Sequence, residues 1–312
     1  MNDCDVLVVG GGAAGLSAAL VLGRARRTVV VVDAGQPRNA PAAHMHGFLS
    51  RDGLPPAELL STGREEVTGY GVTIVHGTVG ELTRDIDESA FQALLQDGQR
   101  LTARRVLVTT GLRDELPDIP GLADRWTRDV LHCPYCHGWE VRDQPLGVLW
   151  HGPDTVRYAH IVRQWTQDLI LFAPDGALTV QDHSSLSARD IRVVEGEVDH
   201  LVIDHDDLTG VALTDGRVIH RSAVFVPPRY TPHSDLLAGL GCEFDDQGWV
   251  TTGPNGATSV PGVWVAGNVA NPRAQVITAA GEGSAAAIAI NTDLVESDVR
   301  AALALTNADA AP

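Results

Sequence analysis

The stretch DVLVVGGGAAG, residues 5–15, decides how this sequence folds. Its first five residues, 5–9, have the continuous apolar character of a buried strand. Gly10, Gly12 and Gly15 follow at the spacing G-x-G-x-x-G. Glycines at these positions allow a tight turn and let a pyrophosphate approach the N-terminus of the next helix. The stretch therefore indicates a strand, a phosphate-holding turn and the start of a helix.

The residues after this motif complete a βαβ unit. A helical pattern continues to Arg24, and a second strand pattern runs from Thr28 to Val32. Asp33 ends that strand, 18 residues after Gly15, where an acid can bond the ribose hydroxyls of a dinucleotide. The glycines alone would be weak evidence. Strand, helix, strand and acid together predict a dinucleotide-binding site.

A second motif lies in the middle of the chain, at Cys133-Pro134-Tyr135-Cys136-His137. C-x-x-C near a βαβ pattern in an intracellular protein is typical of a redox pair, in which one thiol has a lowered pKa and attacks as the thiolate. A structural zinc half-site is the competing interpretation, but it needs a second pair of ligands, and Cys4 and Cys242 stand alone. We therefore favour a redox pair and predict no metal site.

Size and composition restrict the class of protein further. The chain has 312 residues, of which 44% are hydrophobic, and its length suits two globular domains. It has no basic segment followed by an apolar one at its start and no apolar run of membrane-spanning length, so we expect a cytoplasmic protein with no membrane partner. The net charge of −17 disfavours nucleic acid, which binds basic surfaces.

The rest of the chain shows related patterns. Alternating residues over 71–108 predict strands, with a hairpin turn at Asp97-Gly98, and the prolines and glycine of 117–121 predict a linker. A second βαβ-like unit follows, with strands at 146–150 and 168–173 and a helix between them that ends near Gln167. A helix of small residues is predicted over 275–294, and the Ala-rich last dozen residues are predicted to fray.

These motifs, in this order and spacing, resemble the low-molecular-weight thioredoxin reductases. The resemblance rests on the glycine motif at 10–15, Thr109-Thr110-Gly111, the cysteine pair and the segment 262–280, and it covers essentially the whole chain. It implies an α/β fold with two Rossmann-like, FAD- or NAD(P)-binding domains, one inserted in the other. A discontinuous FAD domain would comprise 1–115 and 238–312, and an inserted, degenerate pyridine-nucleotide domain at 118–235 would carry the cysteines.

The same resemblance implies a set of FAD-binding residues. These are Gly10, Gly12, Ala13, Ala14, Gly15, Asp33, Ala34, Gln36, Arg38, His46, Val79, Thr110, Gly111, Gly267, Asn268, Gln275, Val276 and Ile277. Asp33 would bond the ribose, and Gln275, Val276 and Ile277 would lie against the flavin at a helix N-terminus, whose positive dipole end stabilises a reduced flavin. The family usually has Asp where this chain has Asn268, and an amide can still bond ribityl oxygens.

The second domain departs from the family at three places. The nucleotide loop Gly-Gly-Gly-Asp-Ser-Ala is here His-Gly-Pro-Asp-Thr-Val, residues 151–156, which adds bulk and removes a backbone N–H. Ala173-Pro174-Asp175 replaces the His-Arg-Arg that binds the NADPH 2′-phosphate, and Pro227-Pro228 replaces a closing glycine. Together these changes predict that NADPH is not bound. An NADH-using enzyme stays open, because Asp175 could bond a free 2′-hydroxyl.

The cysteine motif carries the predicted chemistry. By the resemblance, Cys136 faces the flavin and Cys133 exchanges with the external thiol. His137 stands where thioredoxin reductases place an acid, and a histidine can take a proton from an incoming thiol. His132 is the weaker candidate for a base. Cys-Pro-Tyr-Cys-His-Gly-Trp-Glu, without NADPH signals, looks most like the dithiol oxidases that close disulfides in antibiotics and toxins of the gliotoxin and holomycin type.

That resemblance implies an FAD-dependent oxidase that uses Cys133, Cys136 and His137 on a small-molecule dithiol, passes electrons to O2, yields H2O2 and forms a homodimer. The first alternative is a disulfide reductase fed by NADH, NADPH or another donor. The second alternative is a flavin-binding protein without turnover, which the retention of both cysteines disfavours.

Overall fold

The computed structural model describes residues 4–85 and 90–309, with side chains as far as residue 307. The first part of the chain contains β1 (Cys4–Val9), α1 (Ala13–Arg24), β2 (Val29–Asp33), α2 (Pro56–Gly69), β3 (Thr73–His76), β4 (Val79–Arg84), β5 (Phe91–Leu95), β6 (Arg100–Val108) and β7 (Leu112–Glu115). The next part contains β8 (Val130–Leu131), α3 (Pro134–His137), β9 (Leu146–Leu149), α4 (Thr155–Val162), β10 (Leu169–Ala173), α5 (Val180–Ser187) and β11 (Arg192–Glu195). The last part contains β12 (Val198–Asp204), β13 (Asp207–Leu213), β14 (Val218–His220), β15 (Ala223–Phe225), β16 (Arg229–Pro232), α6 (Asp235–Gly239), β17 (Val263–Val265) and α7 (Val276–Asp309), with short 3-10 turns at Ala123–Arg125, Pro254–Gly256 and Gly267–Val269.

The first sheet has a parallel core in the order β3-β2-β1-β6-β17. Strands β1 and β2 consist almost wholly of buried valine and leucine, as expected for strands covered on both faces. Strand β6 pairs with β1 along one edge and is long enough to pair with two strands along the other. Its start continues an antiparallel sheet with β5 and β4, and its end pairs with β17.

The second sheet repeats this plan. Its five strands are all parallel, in the order β11-β10-β9-β15-β8, and β12, β13 and β14 form a separate antiparallel sheet. Buried apolar residues form separate core clusters around each sheet. The predicted fold class, α/β with two Rossmann-like units, is therefore confirmed. The boundaries at 115, 118, 235 and 238 stay predictions.

A two-stranded ribbon joins the two units. Strand β7 leaves the first sheet and β16 returns to it, and the two pair antiparallel with Asp114 opposite Tyr230. The prolines near this crossing predict a linker, but no sequence pattern indicates that β7 and β16 pair. The ribbon places residues of both passages beside the candidate site.

The hairpin turn predicted at Asp97-Gly98 is confirmed between β5 and β6, with Gly98 at φ +90°.

The tail helix is longer than predicted. The prediction that the last dozen residues fray was wrong for those that the structure describes, because α7 continues to Asp309. Alanine has the highest helix propensity, so an Ala-rich tail extends a helix instead of ending it.

The helix predicted to end near Gln167 ends at Val162. Thr166 bonds the carbonyl of Gln144 in the turn that follows and leads the chain into β10.

Within residues 4–85 and 90–309, no helix is long and apolar enough to cross a membrane.

Candidate redox active site

The N-terminus of α1 forms an open cradle at the carboxyl edge of the first sheet. Gly12 caps the helix without a side-chain hydrogen bond, and nothing lies within 4 Å of where its Cβ would be. A Cβ on Gly15 would lie 1.9 Å from the carbonyl oxygen of Gly10, so only glycine allows this turn to pack so closely. The first N–H groups of a helix have no intrahelical partner and attract anions. The cradle fits the pyrophosphate of a dinucleotide.

Asp33 lies beside this cradle. Its Oδ1 accepts the backbone N–H groups of Gly11 and Gly35, each at 3.2 Å, and its Oδ2 is 3.0 Å from Nη2 of Arg64 on α2. The two backbone bonds fix the carboxylate at the end of β2, where the sequence predicts the ribose contact. Arg64 was not predicted, because no motif marks an arginine of the following helix.

Asn268 occupies the position where the resembling family has aspartate. Its Nδ2 donates to the carbonyls of Asn271 and Ala274 at 2.9 and 3.0 Å, while its Oδ1 lies 3.4 Å from Nη1 of Arg38. A carboxylate could not make the first two bonds, because it has no hydrogen to donate. The amide therefore fits this loop better than the family's acid.

The other residues predicted to bind FAD lie around the same edge or in neighbouring segments. Ala13 and Ala14 begin α1, Thr110 and Gly111 follow β6, and Gly267 follows β17. Ala34 and Gln36 are exposed on the loop after β2, Val79 is buried at the start of β4, and Val276 and Ile277 begin α7. His46 lies apart from these residues, beside the cysteine turn. The cofactor contacts of all these residues stay predictions.

The cysteine pair forms a disulfide at the N-terminal end of α3, a turn called here the redox turn and comprising residues 133–137. Gln275, just before α7, brings its Nε2 to within 3.9 Å of Sγ of Cys136. Cys136 is thus the cysteine that meets the segment predicted to face the flavin. Gly47 closes the other side, because a Cβ there would lie 3.4 Å from Oε1 of Gln275.

His137 is surrounded by a small charged group. Burial lowers its pKa below the ordinary value, Glu140 acts in the opposite direction, and His46 lowers it further. Nε2 of His46 is 3.5 Å from Oε1 of Glu140, and Nδ1 of His46 is 3.3 Å from Oδ2 of Asp52. A histidine of lowered pKa is neutral near pH 7 and can accept a proton. Glu140 is the last residue of the cysteine motif, and its contact with His46 was not predicted from the sequence.

His132 has a different environment. Burial, followed by the charge of Arg38, lowers its pKa to about 4. Its ring stacks on Trp126 with centroids 5.2 Å apart, and its carbonyl accepts the hydroxyl of Tyr158 at 2.5 Å. Such a histidine stays neutral at physiological pH but is a weak base.

Two aromatic side chains of the cysteine motif face solvent. Tyr135 and Trp139 are each 65% exposed and lie four residues apart, hence on one side of the turn. Both rings are held by neighbours. Trp165 meets Tyr135 edge-on at 5.5 Å, and the guanidinium of Arg142 lies 4.0 Å from the centre of the Trp139 ring.

The second sheet has its own crevice, where the strand order reverses between β9 and β15. Such a switch point is where doubly wound folds bind nucleotides. Here His151 crosses it, with Nδ1 2.9 Å from the carbonyl oxygen of Pro227. Asp175 is exposed beyond the end of β10. Within the described parts of the chain, no group of three or more His, Cys, Asp or Glu side chains could hold a metal ion.

Comparison with known proteins gives consistent matches. The sequence model of the pyridine nucleotide-disulphide oxidoreductases matches residues 4–283. The protein named thioredoxin reductase sirT from Leptosphaeria maculans is 31% identical, over 95% of this chain and 96% of its own length. The crystal structure of HlmI superposes with a TM-score of 0.96 and 54% identity, covering 98% of this chain and 97% of its own. A putative thioredoxin reductase TrxB from Bacillus anthracis gives a TM-score of 0.90 and 32% identity, covering 95% and 99%.

Proposed function

Because the chain belongs to the pyridine nucleotide-disulphide oxidoreductase family, we propose that it is an FAD-dependent dithiol oxidase that forms a disulfide in a small-molecule dithiol, with O2 as the electron acceptor. The family and its thioredoxin reductase neighbours indicate an oxidoreductase that binds FAD. The substrate, the acceptor and the roles of individual residues are the proposed part.

The observation that carries the proposal is the place of the disulfide. Cys136 lies against Gln275, just before α7. The Gly267-Asn268 turn meets the start of α1, since a Cβ on Gly267 would lie 3.1 Å from Cβ of Ala14. Cys133 is the other half of the pair and is the one left to meet an external thiol. The same α7 N-terminus would place positive dipole charge beside a flavin.

The exchange needs one deprotonated thiol and one base. His137 takes a proton from the first substrate thiol, and the thiolate attacks Sγ of Cys133 and breaks the Cys133–Cys136 bond. Cys136 leaves as a thiolate and takes that proton from His137, which can then accept the proton of the second substrate thiol. The second thiolate displaces Cys133, so the substrate leaves as a disulfide and both cysteines are reduced. Reoxidation of the pair needs a two-electron acceptor, which FAD held at the α1 cradle and the segment 267–277 would supply, with O2 as the final acceptor that becomes H2O2.

The degenerate second crevice supports O2 over NADPH. His151 bonds across the switch point to the segment after β15, and Pro153 offers no N–H to a phosphate. Asp175 would repel a 2′-phosphate. We therefore propose that NADPH is not bound and that this unit serves as a scaffold for the redox turn.

The substrate side favours a small apolar molecule. Tyr135 and Trp139 offer exposed ring faces next to the disulfide, each held in place by a neighbour, and such pre-ordered rings bind planar or apolar groups at low entropic cost. Asp52 and Glu140 lie 3.3 and 3.5 Å from the ring nitrogens of His46, beside the redox turn, so an anionic dithiol is disfavoured.

Homodimerisation is also proposed from the family resemblance. Apolar residues of α7 stay exposed at helical spacing, namely Ile288, Val295, Val299 and Leu303, and a second copy would cover them. Light scattering of the purified protein gives the mass directly. A monomer at micromolar concentration would end this part of the proposal.

Anaerobic mixing separates the oxidase from its alternatives. Under the oxidase proposal, dithiothreitol or another small dithiol bleaches the flavin, whereas NADPH and NADH do not. Bleaching by a nicotinamide nucleotide would support the reductase instead. A yellow protein bleached by neither would support the flavin-binding protein without turnover.

A further inference from the structure

Arg38, on the loop after β2, contacts both strands of the ribbon that joins the two units. Its guanidinium forms two parallel hydrogen bonds to the carboxylate of Asp114 on β7, at 2.6 and 2.8 Å. It also lies over the ring of Tyr230 on β16, 5.4 Å from the ring centre. Both strands belong to the ribbon that joins the two units. Arg38 therefore ties the loop after β2 to the two passages of the chain between the units.

The same guanidinium reaches the redox turn. Its Nη2 lies 3.4 Å from Nε2 of His132, the residue before Cys133. Because burial and the charge of Arg38 keep the pKa of His132 near 4, that ring is neutral and can accept an N–H of Arg38. The backbone of His132 is fixed separately, since its carbonyl accepts the hydroxyl of Tyr158.

A second contact runs beside this one. The hydroxyl of Thr127 donates to the carbonyl of Pro41 at 3.0 Å, so the loop that carries Arg38 meets the segment before the redox turn twice. The Asp114 side chain is only 9% exposed and that of Arg38 23%. At that burial, removal of one charge leaves the other poorly solvated. Loss of either Arg38 or Asp114 should therefore destabilise this part of the structure.

We propose that Arg38 is a positioning residue that clasps the redox turn to the cofactor-binding unit, through Asp114, Tyr230 and His132. This role replaces the FAD-binding role that the resemblance implies for Arg38, because Nε and Nη2 are engaged by Asp114 and His132 and Nη1 lies 3.4 Å from Oδ1 of Asn268. The clasp rests on the proposed function for its effect on electron transfer, because it sets where Cys136 lies relative to the flavin. It also explains why a histidine that is too weak a base stands next to Cys133.

The test compares Arg38→Met with Arg113→Met. Arg113 lies on β7 beside Asp114 and pairs with Glu115. Its side chain is 63% exposed, so its loss removes an ion pair without touching the clasp. In the holoenzyme, Arg38→Met should speed amide hydrogen exchange in residues 126–133 and slow anaerobic bleaching of the flavin by a saturating dithiol about 10–100-fold. FAD affinity, measured by titration of the apoprotein, should stay close to that of the wild type. Arg113→Met should change none of these.

Two further variants keep the test decisive. Asp114→Asn should reproduce the effect of Arg38→Met, because it removes the other half of the ion pair. Arg38→Lys, which keeps the charge and protects the fold, should rescue only in part, since lysine cannot make two parallel bonds or stack on Tyr230.

The opposite results are equally clear. Weakened FAD binding with a normal bleaching rate in the loaded enzyme would make Arg38 a cofactor ligand and overturn the clasp. Unchanged exchange over 126–133 in Arg38→Met would also overturn it. If dithiols fail to bleach the wild type, the proposed function fails, while hydrogen exchange still decides the clasp.

Discussion

The pH dependence of thiol oxidation should follow the charges around His137. A base acts only while neutral, so kcat/KM for a dithiol falls as pH drops through the pKa of His137. Because burial lowers that pKa, the acidic limb should lie below pH 6.5. His137→Gln should remove the limb and lower kcat/KM by about 10²–10⁴-fold, the usual worth of a general base.

Glu140 gives this prediction a direction. It raises the pKa of His137, so Glu140→Gln should move the limb to lower pH. Without the neighbouring carboxylate the imidazolium is less stabilised, and His137 then stays neutral down to a lower pH.

His46 supplies the opposite control. His46 lowers the pKa of His137, so His46→Gln should move the limb to higher pH. The assay is initial rate of dithiol oxidation from pH 4.5 to 8 at constant ionic strength, with one substrate for all variants, so that ionisation of the substrate thiols cancels. A limb that stays in place in both variants, or a loss below about fivefold in His137→Gln, would refute His137 as the base.

Three further outcomes are expected. Cys136→Ser should abolish turnover yet let Cys133 form a stable mixed disulfide with an activated substrate disulfide, seen by intact mass; a mixed disulfide only in Cys133→Ser would reverse the two roles. Trp139→Ala should raise KM for an aromatic dithiol about 2–13-fold, the worth of one aromatic contact, and leave KM for dithiothreitol unchanged; equal effects on both would remove Trp139 from substrate recognition. Asn268→Asp should lower the free energy of unfolding in urea by about 1–3 kcal/mol through loss of the two amide bonds to Asn271 and Ala274, whereas greater stability would show that the loop tolerates the family's acid.

Local signals predicted the parts of the site that lie within one continuous segment. The glycine motif at 10–15 can be recognised without any contact to a distant residue. The same holds for Cys133 and Cys136, because their spacing is visible in the sequence. The resemblance predicts that Cys136 and Gln275 each face the flavin, and the structure brings Nε2 of Gln275 to within 3.9 Å of Sγ of Cys136.

What the sequence could not predict depends on contacts between distant segments. The partners of Arg38 come from β7, β16 and the residue before Cys133, and no periodicity links them. The ribbon of β7 and β16 pairs segments more than a hundred residues apart. Arg64 on Asp33 and His46 on Glu140 are likewise contacts between separate elements. The long tail helix was missed because Ala-rich composition was taken as a sign of fraying.

The most direct test of the proposed function follows oxygen. Purified holoenzyme is mixed with a small dithiol in air-saturated buffer, without and with NADPH, while O2, H2O2 and product disulfide are measured together. The account predicts one O2 consumed and one H2O2 formed for each disulfide, at a rate that NADPH does not change. Turnover that requires NADPH, or disulfide formation without O2 consumption, would contradict it.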